Sequence, residues 1–143
     1  MSINFVYDVS GSMVENKSLV LYFFYTLMNI KESYGLQLKQ MLLSETLSKF
    51  EEPQNLSFGK TIDGTKISEM IPDDEICVLV TDGCFSSDEK EILKKESEKR
   101  TIFFLLIGES ANYQLVRKIS KNIIYKAEDL FLCLNNLFSG ALI

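Results

Sequence analysis

The chain has 143 residues, 46% hydrophobic and 24% charged, with a formal net charge of −5. That is the profile of one folded globular domain spanning 1–143, and it argues against disorder. An acidic balance also weakens any reading as a phosphate-backbone binder. The one dense basic stretch, Lys90 to Arg100, is interleaved with glutamates and reads as a solvated helix face.

The absence of histidine decides more than the charge. It removes Ser-His-Asp and Cys-His catalysis and makes a zinc site unfavourable, leaving hard, oxygen-ligated metals as the ions to consider. Cys77, Cys84 and Cys133 form no CxxC pair, as expected of reduced thiols in a cytoplasm. The N-terminus lacks the charged, apolar and small-residue regions of a signal peptide. The most membrane-like run, Leu19 to Ile30, is about a dozen residues long where a spanning helix needs roughly 20. A cytoplasmic protein without membrane segments is the expectation.

In chain order, Ile3 to Asp8 is an apolar strand ending in an acid, followed by Ser10, Gly11 and Ser12. Val14 to about Ser33 predicts a helix, apolar on nearly all sides and therefore covered by neighbours. Gly35 closes it. Leu36 to Leu43 alternates at period two and predicts a half-exposed strand. Thr46 to Phe50 predicts a short edge strand pairing back on it, ended by Glu51, Glu52 and Pro53.

Glu51 to Gly64 is the longest irregular stretch, of the kind that often carries function. Thr65 opens a short helix through Met70. Ile76 to Val80 is a continuous apolar strand, as in a parallel sheet, and it runs into Thr81-Asp82-Gly83. Ser86 caps a polar helix that continues to Arg100. A strand over Thr101 to Ile107, a helix over Asn112 to Ser120, a strand over Ile123 to Tyr125 and a helix from Asp129 to about Phe138 complete the series. This alternation predicts an α/β fold of Rossmann-like, doubly wound type. Its sheet is mainly parallel with one antiparallel edge strand, and helices cover both faces.

Two buried strands far apart in sequence thus end in Asp8 and Asp82. In parallel strands those ends share one rim of the sheet, where α/β proteins place their ligands. With Ser10, Ser12 and Thr65 they supply two carboxylates and three hydroxyls, a set suited to magnesium, which takes six oxygens and keeps several waters.

Asp8-Val9-Ser10-Gly11-Ser12 resembles the DxSxS motif of von Willebrand factor type A (vWA) domains. Gly64-Thr65 resembles that family's later threonine, and Thr81-Asp82-Gly83 its final aspartate-glycine. The motif order and element count agree along essentially the whole chain. The resemblance implies a metal-ion-dependent adhesion site (MIDAS) in which Ser10, Ser12 and Thr65 bind Mg2+ directly and Asp8 and Asp82 act mainly through water. Mn2+ or Ca2+ are substitutes. The open position would take an Asp or Glu carboxylate of a partner protein, so the domain would be a non-catalytic interaction module. Compact vWA domains without an anchor resemble those of bacterial systems that work beside AAA+ ATPases, kinases or phosphatases.

The sequence departs from the family in its loop before Thr65, which lacks a glycine run. Thr61 is therefore a rival for the threonine position, and Asp63 reads as a solvated loop acid. Cys84, two residues past Asp82, reads as an inert small side chain rather than a reactive thiol. The enzyme alternative is aspartate-based phosphoryl transfer, as in haloacid-dehalogenase-type phosphatases. There the second residue after the nucleophile is an acid; here it is Ser10, which cannot relay a proton near neutral pH. A structural domain whose metal site has decayed is the third reading, disfavoured because all five ligand types are present.

Overall fold

Six consecutive buried residues make Ile3–Asp8 (β1) the hub of the fold. A strand covered on both faces needs an unbroken apolar run, and β1 has strands on either side as well. The computed structural model describes residues 2–59 and 61–139. After β1 come Lys17–Tyr34 (α1), Leu38–Leu43 (β2), Leu47–Lys49 (β3), Thr65–Met70 (α2) and Ile76–Thr81 (β4). Ser87–Lys99 (α3), Ile102–Leu106 (β5), Tyr113–Ile119 (α4), Ile124–Lys126 (β6) and Leu130–Ser139 (α5) complete the order.

The sheet runs β3-β2-β1-β4-β5-β6. All pairings are parallel except β2 with β3, which is antiparallel. The predicted architecture, including the single antiparallel edge, is therefore the observed one. From β1 the chain winds outward through β2, then crosses back to β4 and winds the other way. The reversal falls between β1 and β4, which is where doubly wound sheets open a crevice at their carboxyl ends.

Alternate residues of the central strands feed two cores. Phe5 and Tyr7 of β1, with Val78 and Val80 of β4, pack under α1 and α5. Val6, Cys77 and Leu79 pack against α2, α3 and α4 through Ile67, Leu93 and Val116.

Three expectations need correction. The first helix does not start at Val14, because Gly11–Asn16 winds as a 3₁₀ turn before α1. The Met13 N–H reaches the Ser10 carbonyl at 3.0 Å, tightening the exit from β1. Next, α1 is covered on one side only. It buries Val20, Phe23, Phe24 and Leu27 on the sheet but leaves Tyr22 58% and Tyr25 49% exposed. Among the described residues no further helix covers that face, so its outward aromatics meet solvent.

The third correction concerns α3, which is not a uniformly solvated face. Glu96 and Arg100 are buried. Glu96 accepts from the Ser68 hydroxyl. The Arg100 guanidinium donates to the carbonyls of Ile71 (2.6 Å), Pro72 (2.8 Å) and Glu75 (2.9 Å). A segment turning from α2 into β4 leaves carbonyls pointing inward, and a five-donor fork satisfies several at once.

The long stretch after β3 contains a 3₁₀ turn at Pro53–Asn55 and is otherwise irregular. It is nonetheless anchored. Leu56 and Ile62 are buried, and backbone bonds tie Gly59 to Val9 (3.2 Å) and Asp63 to Ser44 (2.8 Å).

Candidate metal centre

Asp8 ends β1 fully buried, and both its oxygens are engaged. Oδ1 accepts from the Ser10 N–H at 2.8 Å, and Oδ2 from the Thr81 hydroxyl at 2.7 Å. Thr81 in turn accepts the Gly83 N–H at 3.0 Å. One hydroxyl therefore locks the turn after β4 to the acid at the end of β1. Asp82, also buried, accepts from the Cys84 N–H at 3.0 Å, while its own carbonyl accepts from Asn112 N–H at 2.8 Å. Gly83 has φ +73°, and a Cβ there would come within 2.8 Å of Val116, so this turn admits only glycine without rearrangement.

The Ser10 and Ser12 hydroxyl oxygens lie 3.3 Å apart. Neighbouring ligands of an octahedral magnesium ion at roughly 2.1 Å would stand about 3.0 Å from each other. The two lie within hydrogen-bond reach of each other, and their spacing is close to that of two ligands on one such ion. Thr65, at the first turn of α2, donates its hydroxyl to Asp63 Oδ1 at 2.6 Å, and its N–H reaches the same oxygen at 3.1 Å. With its proton committed to Asp63, the Thr65 oxygen keeps lone pairs for a metal.

The chain path brings Thr65 to the rim. Asp63 is bonded to Ser44, just past the end of β2, and the β2 residue Leu43 pairs with Asp8. Ile62 N–H is bonded to Glu89 Oε2 at 3.0 Å, at the start of α3, which follows β4. The loop therefore passes over the carboxyl ends of β2, β1 and β4. It runs so close to the serine turn that a Cβ on Gly11 would lie 3.7 Å from the Gly59 Cα. No hydrogen bond among the described residues joins Thr65 to Asp8, Ser10, Ser12 or Asp82.

The electrostatics favour a cation. Burial pushes the Asp8 carboxyl above its ordinary value, bonds from Thr81 and Ser10 oppose that, and the charge of Asp82 raises it further. Among the described residues neither Asp8 nor Asp82 has an ion pair with a lysine or arginine. Among the described residues no three acids or cysteines converge as a metal cluster, so an ion at this rim would draw on hydroxyls and water as well as the acids. The residues present fit a hard, water-rich ion.

Sequence reasoning underrated two residues. Thr81 enters the sequence reading only as the residue before Asp82 in Thr81-Asp82-Gly83, although a hydroxyl beside a strand-end acid in the neighbouring strand is a natural partner. Asp63, expected as a solvated acid, instead fixes Thr65; its spacing two residues before Thr65 is the mark of a side chain bonding the backbone ahead of it. Thr61, the rival ligand, is exposed. Burial and the charges of Asp82 and Asp8 raise the Cys84 thiol above its ordinary value, which disfavours a reactive thiolate.

No protein-family model matches the chain, and no curated protein sequence matches it. Among solved structures it is similar to the conserved hypothetical protein BatB from Bacteroides thetaiotaomicron. The TM-score is 0.52 at 14% identity, covering 88% of this chain and 89% of that one. It is also similar to an aerotolerance-related membrane protein from Bacteroides fragilis, with TM-score 0.42, 15% identity, and 76% and 67% of the two chains covered. The BatB likeness extends over nearly the whole of both chains and concerns the fold; the second score is too low to add to it. No helix among the described residues is long and apolar enough to cross a membrane.

Proposed function

We propose that this chain is a vWA-type domain that binds Mg2+ and uses it to hold a carboxylate of a partner protein. Ser10, Ser12 and Thr65 would be the direct ligands, with Asp8 and Asp82 orienting metal-bound waters. The observation carrying this reading is the pairing of two buried acids, unneutralised by any described base, at the strand ends flanking the sheet reversal, beside two hydroxyls 3.3 Å apart. Neutral hydroxyl ligands leave the ion most of its charge, so an incoming Asp or Glu would replace a bound water at the metal without any covalent chemistry on the partner. The module is non-catalytic in this reading. Its partner is a protein, with AAA+ ATPases, kinases and phosphatases as candidates, and its setting is a bacterial cytoplasm.

The fixed position of Thr65 supports it over the exposed Thr61 as the third hydroxyl. Calorimetric titration with Mg2+ and Mn2+ tests the proposal. Saturable binding at millimolar or lower metal, lost in Asp8→Ala and weakened in Ser12→Ala and Thr65→Ala but not Thr61→Ala, is the expected result. Folded wild type that takes up neither ion would sink it.

A further inference from the structure

At the opposite end of the sheet from the acids, the edge strand stops short. β3 faces only Met41–Leu43 of β2, and the last bond toward the start of β2 runs from Phe50 N–H to the Gln40 carbonyl at 3.0 Å. On the other side, Ile3 N–H takes the Gln37 carbonyl. Odd-numbered residues here thus turn their backbone groups toward β1, and even-numbered ones turn outward. The outward N–H and C=O of Leu38 therefore have no strand beside them among the described residues.

A groove of about 410 Å³ opens at this notch, with Phe24, Met28, Leu38 and Phe50 among its apolar lining. Around it stand Lys31, Lys39 and Lys49 against a single acid, Glu51. Lys39 is partly neutralised by Glu75 at 3.2 Å, but Lys31 and Lys49 have no ion pair among the described residues. On a chain of net charge −5, this is a local reversal of sign around an open strand edge.

We infer that the notch docks an extended, acidic segment of a partner protein, which adds as a short strand beside Leu38 and sets its carboxylates against Lys31 and Lys49. Strand addition takes affinity from backbone bonds and specificity from alternate side chains. An apolar residue of the segment would enter the groove while its acidic neighbours meet the lysines. A second copy of this chain fits poorly, because its own notch carries the same lysines rather than acids to complement them. This site is separate from the metal rim and does not depend on it.

The test uses four capped heptapeptides, DEVFVED and its variants with Leu, Ile or Tyr at the centre, titrated into the full chain with amide NMR shifts as the readout. The expected result is saturable binding with Kd below about 1 mM and shifts centred on Leu38, Gln40 and Phe50, unchanged by chelator. Charge reversal at Lys31→Glu with Lys49→Glu should weaken it about tenfold or more and transfer binding to KKVFVKK; Lys31→Glu alone should act in the same direction. N-methylation of alternate peptide amides should abolish it. No binding by any of the four overturns the proposal, as does binding indifferent to charge reversal. Shifts at Asp8 and Asp82 that vanish with chelator, or decanoate filling the groove while the peptides do not, overturn it equally.

Discussion

Thr81 and Asp8 are joined by a buried hydrogen bond of 2.7 Å that links β4 to β1 at their carboxyl ends. The same hydroxyl accepts from Gly83, so one side chain sets both the acid and the turn that carries Asp82. Thr81→Val keeps the shape and deletes both bonds. It should cost about 1–3 kcal/mol by leaving a buried acceptor unsatisfied, measured by urea denaturation, and weaken Mg2+ affinity in calorimetry.

Metal should stabilise the fold. Apart from their hydrogen bonds, Asp8 and Asp82 repel each other, and a bound cation reverses that term. The melting temperature of wild type should rise with Mg2+ and go on rising with the logarithm of its concentration above Kd, with about 2.7 kcal/mol gained at 100 times Kd. Asp82→Asn should melt higher than wild type in chelator and gain less from Mg2+. Equal responses of the two proteins to the ion would contradict this.

Asp63 is expected to matter through Thr65. Asp63→Ala removes the acceptor for two donors at the start of α2, costing about 0.5–2 kcal/mol as lost helix caps do. It should also lower metal affinity by freeing the Thr65 rotamer. Asp63→Asn, which keeps an acceptor oxygen, should restore most of both.

Arg100→Met should be among the most damaging substitutions away from the rim. It strands the carbonyls of Ile71 and Glu75, while Pro72 keeps the Glu75 N–H, and at about 1–3 kcal/mol for a buried unsatisfied group a loss of about 2 kcal/mol or more is expected. A lower urea midpoint with an unchanged slope is the signature.

Acid lability should trace partly to Glu75. The Asn4 amide, and then Lys39, hold its carboxyl below its ordinary value. A carboxyl lowered in the folded state adds stability that is present above its unfolded pKa, near 4.3, and lost as pH falls through the folded value. Glu75→Gln should therefore flatten the stability profile below about pH 4.3 while changing its slope little at neutral pH.

The strand ends and capping signals were legible because they rest on short-range rules. The run Ile76 to Val80 could be nothing but a buried strand. The Ser86–Glu89 capping box formed as its spacing implied, and Gly35 ends α1 at φ +62°. The bare outer face of α1 was not legible, since Tyr22 and Tyr25 count as apolar in a periodicity whether or not anything covers them. Arg100 and Glu96 misled for the converse reason. A charge looks solvated until the fold supplies carbonyls or a hydroxyl to receive it. In the candidate site the five residues stood out through their strand-end and helix-start positions and the resemblance to the vWA motifs, but the roles of Thr81 and Asp63 needed neighbours that only strand order and loop path provide.

The Thr81–Asp8 bond spans 73 positions of the chain. Closing so long a loop carries an entropic cost that must be met before the contact returns anything. The rim is therefore complete only once β1 and β4 lie side by side, and an N-terminal fragment lacking β4 would carry DxSxS without Thr81 and Asp82 beside it. A cation that needs both strands has nothing to grip in the unfolded ensemble. Its uptake during refolding would time the closing of the sheet's centre.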